Sequence, residues 1–170
     1  MDVDELRRTQ APLREQYKAD PASAVTPLSA RADFRDRPVT ATVSGWAGPV
    51  RAGLHRATGG DGSDACSGDM LLEALLACAG VTLRSVATAM GVEVRSASLT
   101  ARGVFDARGT LGIDRAAPVG VTDVVVTAEL DTDADDTALA RLASSTERYC
   151  VVGQSLAVPP RIELRRAAGR

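Results

Sequence analysis

Three thiols and one imidazole carry the nucleophilic or metal-binding chemistry open to this chain: Cys66, Cys78, Cys150 and His55. No C-x-x-C pair exists, so zinc-ribbon and thioredoxin-type chemistry have no motif to work with. A lone histidine leaves Cys-His catalysis and histidine-rich metal sites short of material. Three cysteines without regular spacing do not make a secreted disulfide framework. Single thiols in a reducing compartment are either small buried hydrophobes or reactive groups. Reactivity needs a thiolate, and a thiolate needs electropositive surroundings with some access to solvent. Cys66 falls in a polar loop where nothing in the sequence places a base or a second thiol beside it, so it reads as a bystander.

The other two cysteines fall on elements able to hold them. Asp69 to Met90 reads as one helix, with Cys78 in the middle of a stretch that has no charge between Glu73 and Arg84. Ser67 and Asp69 suit a helix start, and Gly91 followed by Val92-Glu93-Val94 supplies a stop. At about 1.5 Å per residue the helix runs roughly 33 Å, about the width of a small domain. Apolar residues fall on nearly every face, which demands a core or a membrane. Asp69 and Glu73 on one side and Arg84 on the other break the run that a membrane span requires, so the reading is a core helix. Gly80 is costly in a helix interior, and with Ala74, Ala77 and Ala79 it suits close approach by a second helix.

Asp135 to Tyr149 reads as a second, amphipathic helix with Ala138, Leu139, Leu142, Ala143 and Thr146 on one face and Asp133, Asp135 and Asp136 at its N-terminus. Cys150 closes it. Arg148 would favour a thiolate there, whereas the helix C-terminal dipole would oppose one. Two helices packed in one core would let Cys78 and Cys150 meet. Cysteines with Cα atoms within about 6 Å can form a disulfide, which in the cytosol is usually catalytic or redox-sensing.

The remaining pattern is α+β. Residues 1–20 form a peripheral polar helix from Asp4 to Lys18, interrupted or restarted at Pro12. Strands are expected over Ala24 to Arg35, Pro38 to Trp46, Val50 to Arg56, Val92 to Asp106, Thr122 to Asp131 and Arg161 to Arg165, with a further turn of helix in Val151 to Val158. The loop Ala57 to Gly68 is glycine-rich, but it lacks G-x-x-x-x-G-K-[ST] and any lysine, and Asp61, Asp64 and Asp69 would repel a phosphate. It reads as a hinge. No repeat or linker divides residues 1–170, so the chain is one domain. A net charge of −2, with two Tyr, two Phe and one Trp, gives no reason to expect nucleic acid or an anionic membrane. The charged N-terminus lacks a signal peptide's apolar run, so the expected location is cytoplasmic.

Three stretches carry a family resemblance: Gly59-Gly60-Asp61-Gly62, Leu71 to Leu83 around Cys78, and Glu147 to Leu156 around Cys150. In these the chain resembles the OsmC/Ohr proteins, the osmotically inducible and organic-hydroperoxide-resistance family. It departs from the better-characterised members at Ser67-Gly68-Asp69, where they have a proline and a glutamate. It departs again at Val151-Val152-Gly153-Gln154, where they read Pro-Val-Ser-Asn; Arg51 and Arg56 precede the loop outside any matching motif. The resemblance implies an OsmC-like fold, antiparallel sheets around a long buried helix, assembled as an intertwined homodimer. It implies thiol-dependent reduction of small hydrophobic hydroperoxides, with Cys78 the peroxidatic and Cys150 the resolving cysteine, an external dithiol as reductant, and no metal, flavin or nucleotide cofactor. Two other readings stand beside it: a protein binding a hydrophobic small molecule at the dimer interface with inert thiols, and a dimer in which Cys78 is only packing.

Overall fold

A computed structural model describes residues 2–34 and 38–167. Two small sheets and one long helix organise the chain. Helix α1 spans Val3–Ala19, with the Asp2 carboxylate accepting from the Glu5 amide at 2.8 Å at its start. The expected break at Pro12 does not occur; the helix runs through it and gives up one backbone hydrogen bond. No α1 residue is buried.

The first sheet has the order β1-β2-β3-β4, with β1 Arg31–Asp33, β2 Thr40–Gly45, β3 Gly48–Gly53 and β4 Ala65–Cys66. Strands β2 and β3 form a tight hairpin through Trp46-Ala47, and Gly48 closes it at φ +121°, a conformation that suits glycine. The strand expected over Ala24 to Arg35 shrinks to β1: Pro21–Ala24 is a 3-10 turn, and Arg35 lies outside the described residues. Two residues of the expected hinge loop, Ala65 and Cys66, pair instead with β3.

The second sheet has the order β5-β6-β7, with β5 Ser96–Val104, β6 Thr122–Asp131 and β7 Arg161–Arg166. A one-turn helix, α3, Ala107–Thr110, lies in the β5–β6 connection. Each sheet is antiparallel except for one parallel pair, β3 with β4 and β6 with β7. For β6 and β7 the reason is the crossover between them, since α4, Asp136–Tyr149, and α5, Val151–Gln154, return the chain to the same end of the sheet. The register aligns Ala101 with Val126 and Val126 with Ile162, making one apolar face. Ser98, Thr100, Arg102, Thr127, Glu129, Glu163 and Arg165 make the polar opposite face.

Helix α2, Ser67–Met90, begins two residues before the expected start and ends at Gly91 in the left-handed region. It buries Leu75, Ala79, Leu83 and Ala87, a stripe at every fourth residue, one face of a helix. Leu83 and Ala87 pack with Ala128, Leu130, Leu139 and Leu142; Leu75 and Ala79 pack with Val126, Cys150 and Ile162. Outside this stripe α2 is half-buried or exposed in the protomer, with Val81 73% exposed.

A candidate two-thiol site

Cys78 lies between Leu75 and Ala79 on α2 and packs, half-buried, against the second of these clusters. Cys150 belongs to the same cluster and is fully buried. The structure thus brings together the two cysteines singled out in the sequence. Helix α4 delivers Cys150 because Asp135 caps its start, accepting from the Ala138 amide at 2.7 Å, and Leu139, Leu142 and Thr146 hold its inner face in the core.

The chain then turns sharply into α5. The Gly153 amide donates to Cys150 Sγ at 3.4 Å. A Cβ at Gly153 would sit 3.3 Å from that sulfur and from the Pro160 ring, closer than most side-chain contacts. Glu147 fastens the turn from two sides: its carboxylate accepts from the Ile162 amide at 2.7 Å, and its carbonyl accepts from Gln154 Nε2 at 2.8 Å. The first anchors α4 to β7 and the second ties α5 back to α4. Among the described residues no buried side-chain polar atom lacks a partner.

This arrangement gives the two thiols opposite tendencies. Burial is the largest influence on Cys78 and opposes its ionisation. It is outweighed by the backbone amides of Val152 and Val151, the Cys150 thiol and the Thr82 hydroxyl, which together bring the Cys78 thiol below the ordinary range. Burial is also the largest influence on Cys150, and there it prevails. The Cys78 sulfur adds to it as a neighbouring negative charge, and the amides of Gly153 and Val152 only partly offset them. Of the two thiols Cys78 is therefore the more readily ionised. Two thiols held in one apolar cluster have the elements of a dithiol–disulfide centre.

The amides and Thr82 were not singled out in the sequence. Thr82 carried a signal, its i+4 spacing from Cys78; the amides of α5 carried none, because backbone groups look alike in any sequence. Arg148, expected to favour a Cys150 thiolate, instead sits over the Tyr149 ring at 5.6 Å. Arg51 pairs with Asp64, and Arg56 lies against Gly62 in the loop. Asp69 is exposed in the first turn of α2.

Cys66 stands at the start of α2 without capping it. It lines a separate cavity of about 280 Å³ with His55, Phe105 and Val121. The His55 ring meets Phe105 edge-on at 5.1 Å, and its Nδ1 accepts from the Ala57 amide at 3.0 Å. Twelve residues of helix put Cys66 about 18 Å from Cys78 along the axis.

The family model described as OsmC-like protein matches residues 60–165, which include both thiols and every element that positions them. No curated protein matches the sequence. The fold is similar to that of an OsmC-like protein of unknown function from Vibrio cholerae, with TM-score 0.67 and 14% identity, covering 83% of this chain and 100% of that one. It is also similar to an organic hydroperoxide resistance protein from Elizabethkingia anophelis, with TM-score 0.66, 12% identity, and 84% and 99% coverage. A third, an organic hydroperoxide resistance protein from Legionella pneumophila, gives TM-score 0.62, 15% identity, and 85% and 100% coverage.

Proposed function

Because the chain belongs to the OsmC-like family, we propose that it is a thiol peroxidase that reduces small hydrophobic organic hydroperoxides, with Cys78 the peroxidatic and Cys150 the resolving residue. The observation that carries this reading is the meeting of the two thiols with opposite ionisation tendencies. In the first step the Cys78 thiolate attacks the terminal oxygen of the hydroperoxide. An S–O bond forms, the O–O bond breaks, and the electron pair leaves on an alkoxide that takes a proton from solvent. Cys78 is then a sulfenic acid. In the second step the Cys150 sulfur displaces the hydroxyl, its proton leaves with that group as water, and a disulfide joins the two residues. An external dithiol reopens the bridge by thiol–disulfide exchange and is itself oxidised to a disulfide. The apolar neighbours Leu72, Leu76 and Leu99 favour an organic hydroperoxide over hydrogen peroxide at such a centre.

The working form is proposed to be a homodimer. The protomer exposes 12101 Å², whereas a compact monomer of its 17.7 kDa would expose about 7,900 Å². Part of the excess is apolar: Val81 on α2, and Val25, Leu28, Phe34, Val39 and Trp46 around the first sheet, all stand exposed. A second copy that lays its first sheet and its α2 against these surfaces would cover them.

The decisive test is titration of free thiols before and after one equivalent of an organic hydroperoxide, with peptide mapping of the product. Loss of two thiols per chain and a Cys78–Cys150 bridge is the expected result. Full retention of thiols would sink the peroxidase reading and favour a protein that only binds hydrophobic small molecules.

A further inference from the structure

The two sulfurs of the proposed bridge differ in what can reach them. Cys150 is fully buried, in one cluster with Leu75, Ala79, Val126 and Ile162. Gly153 lies against its sulfur: the Gly153 amide donates to Sγ at 3.4 Å, and a Cβ there would meet both Sγ and the Pro160 ring at 3.3 Å. Cys78 is only half-buried. Ala74 and Val81, one turn before and one turn after it on α2, are exposed, so the helix opens to solvent beside this cysteine. We infer that the external dithiol enters the bridge at Cys78 and that Cys150 is the leaving sulfur, released into the closed turn beside Gly153. This rests on the two-thiol reading and adds the direction of its reductive half.

Thiol–disulfide exchange depends on access, on which sulfur is attacked and on how well the other sulfur leaves. Here these considerations oppose each other. Cys78, the more readily ionised thiol, is the better leaving group, which favours attack at Cys150. Access decides against it, because the incoming thiolate must touch the sulfur it attacks and Cys150 presents no surface. Lifting α5 off Cys150 would break the Gly153 amide bond to Sγ, the Gln154 amide bond to the Cys150 carbonyl at 2.9 Å and the Gln154 Nε2 bond to the Glu147 carbonyl at 2.8 Å. Attack at Cys78 leaves all three in place. In that step a bond forms between the reductant sulfur and Cys78 Sγ, the Cys78–Cys150 bond breaks, and the electron pair leaves on Cys150 Sγ beside the Gly153 amide. Cys150 takes up the proton that the reductant's second thiol gives up. That second thiolate then attacks the reductant sulfur bound to Cys78, and Cys78 departs as a thiolate. The reductant ends as a cyclic disulfide, two electrons have passed to the protein, and the better leaving group departs in the step that frees the reductant.

The test uses the full chain with Cys66→Ser, bridged by diamide so that no hydroperoxide is needed, with the Cys78–Cys150 bridge verified by peptide mapping. The bridged protein is mixed with 2-mercaptoethanol, a monothiol that opens a bridge but cannot close on itself, and is quenched in acid at a series of short times. Peptide mass spectrometry locates the mixed disulfide at the earliest times, before exchange between the two cysteines moves it. The adduct is expected on Cys78 in about tenfold or greater excess over Cys150, since access governs the exchange. An adduct found mainly on Cys150, or shared evenly, overturns entry at Cys78 and leaves the two-thiol reading standing. Failure of diamide to form the bridge overturns both. An adduct on Cys78 in a protein that consumes no organic hydroperoxide upholds the direction of exchange and overturns the peroxidase reading.

Discussion

Two thiols in one apolar cluster are not equivalent once their surroundings differ. The backbone amides of Val152 and Val151 help lower the Cys78 thiol, whereas Cys150 is fully buried and its thiol is raised. The depressed thiol ionises first as pH rises, so reaction with an organic hydroperoxide should climb through a midpoint below the ordinary thiol range and level off above it. A rate profile with its midpoint at or above that of a free thiol would contradict this. Cys78→Ser should abolish reaction. Cys150→Ser should consume about one equivalent and stall as a sulfenic acid captured by a dimedone-type reagent. Cys66→Ser should turn over like the parent, given its place in a separate cavity; loss of turnover in that variant alone would reassign the chemistry.

At the scale of elements, α2 is a helix with one committed face. By length and composition it could cross a membrane, yet Leu75, Ala79, Leu83 and Ala87 pack onto the second sheet and α4. Leu75→Ala should cost about 2–5 kcal/mol, the usual range for emptying a fully buried leucine site, read as a lower denaturation midpoint. The α4–α5 turn depends on Glu147. Removing its carboxylate leaves the Ile162 amide without its acceptor, a loss of about 1–3 kcal/mol for a buried donor. Glu147→Ala should therefore lower stability and slow disulfide closure, while Glu147→Gln, which keeps an acceptor oxygen, should do less of both. Equal closure rates in parent and Glu147→Ala, measured by loss of the trapped sulfenic acid, would show that the turn is positioned by packing alone.

At the scale of the molecule, the protomer's area exceeds that of a compact monomer by about 4,000 Å², more than the roughly 1,000–2,500 Å² that each partner of an obligate homodimer buries. Sedimentation at micromolar concentration is expected to give a dimer. Val81→Arg, which places a charge on the open face of α2, should shift the equilibrium toward monomer and expose apolar surface to a hydrophobic dye. A parent protein that sediments as a stable monomer would remove the homodimer from the proposal.

Local pattern alone determined a good deal of this. The apolar run around Cys78, the Asp-rich start of α4 and the Val-rich β6 specify their elements because helix and strand periodicity are written in neighbouring residues; β6 and the end of α2 fall where expected, and α4 begins one residue later with Asp135 as its cap. Family membership was legible too, since the motifs around both cysteines are contiguous. Strand pairing was not. The parallel placement of β4 on β3 joins two residues of a polar loop to a sheet edge, and of the described residues between Ala24 and Phe34 only Arg31–Asp33 pair as a strand. Helix α2 looked greasy on every face, and only packing showed which face this chain covers and which stays open. The ionisation of the two thiols was likewise decided in three dimensions. It depends on which backbone amides a sharp turn aims at Cys78, and a backbone amide has no signature in sequence until the fold gives it a direction.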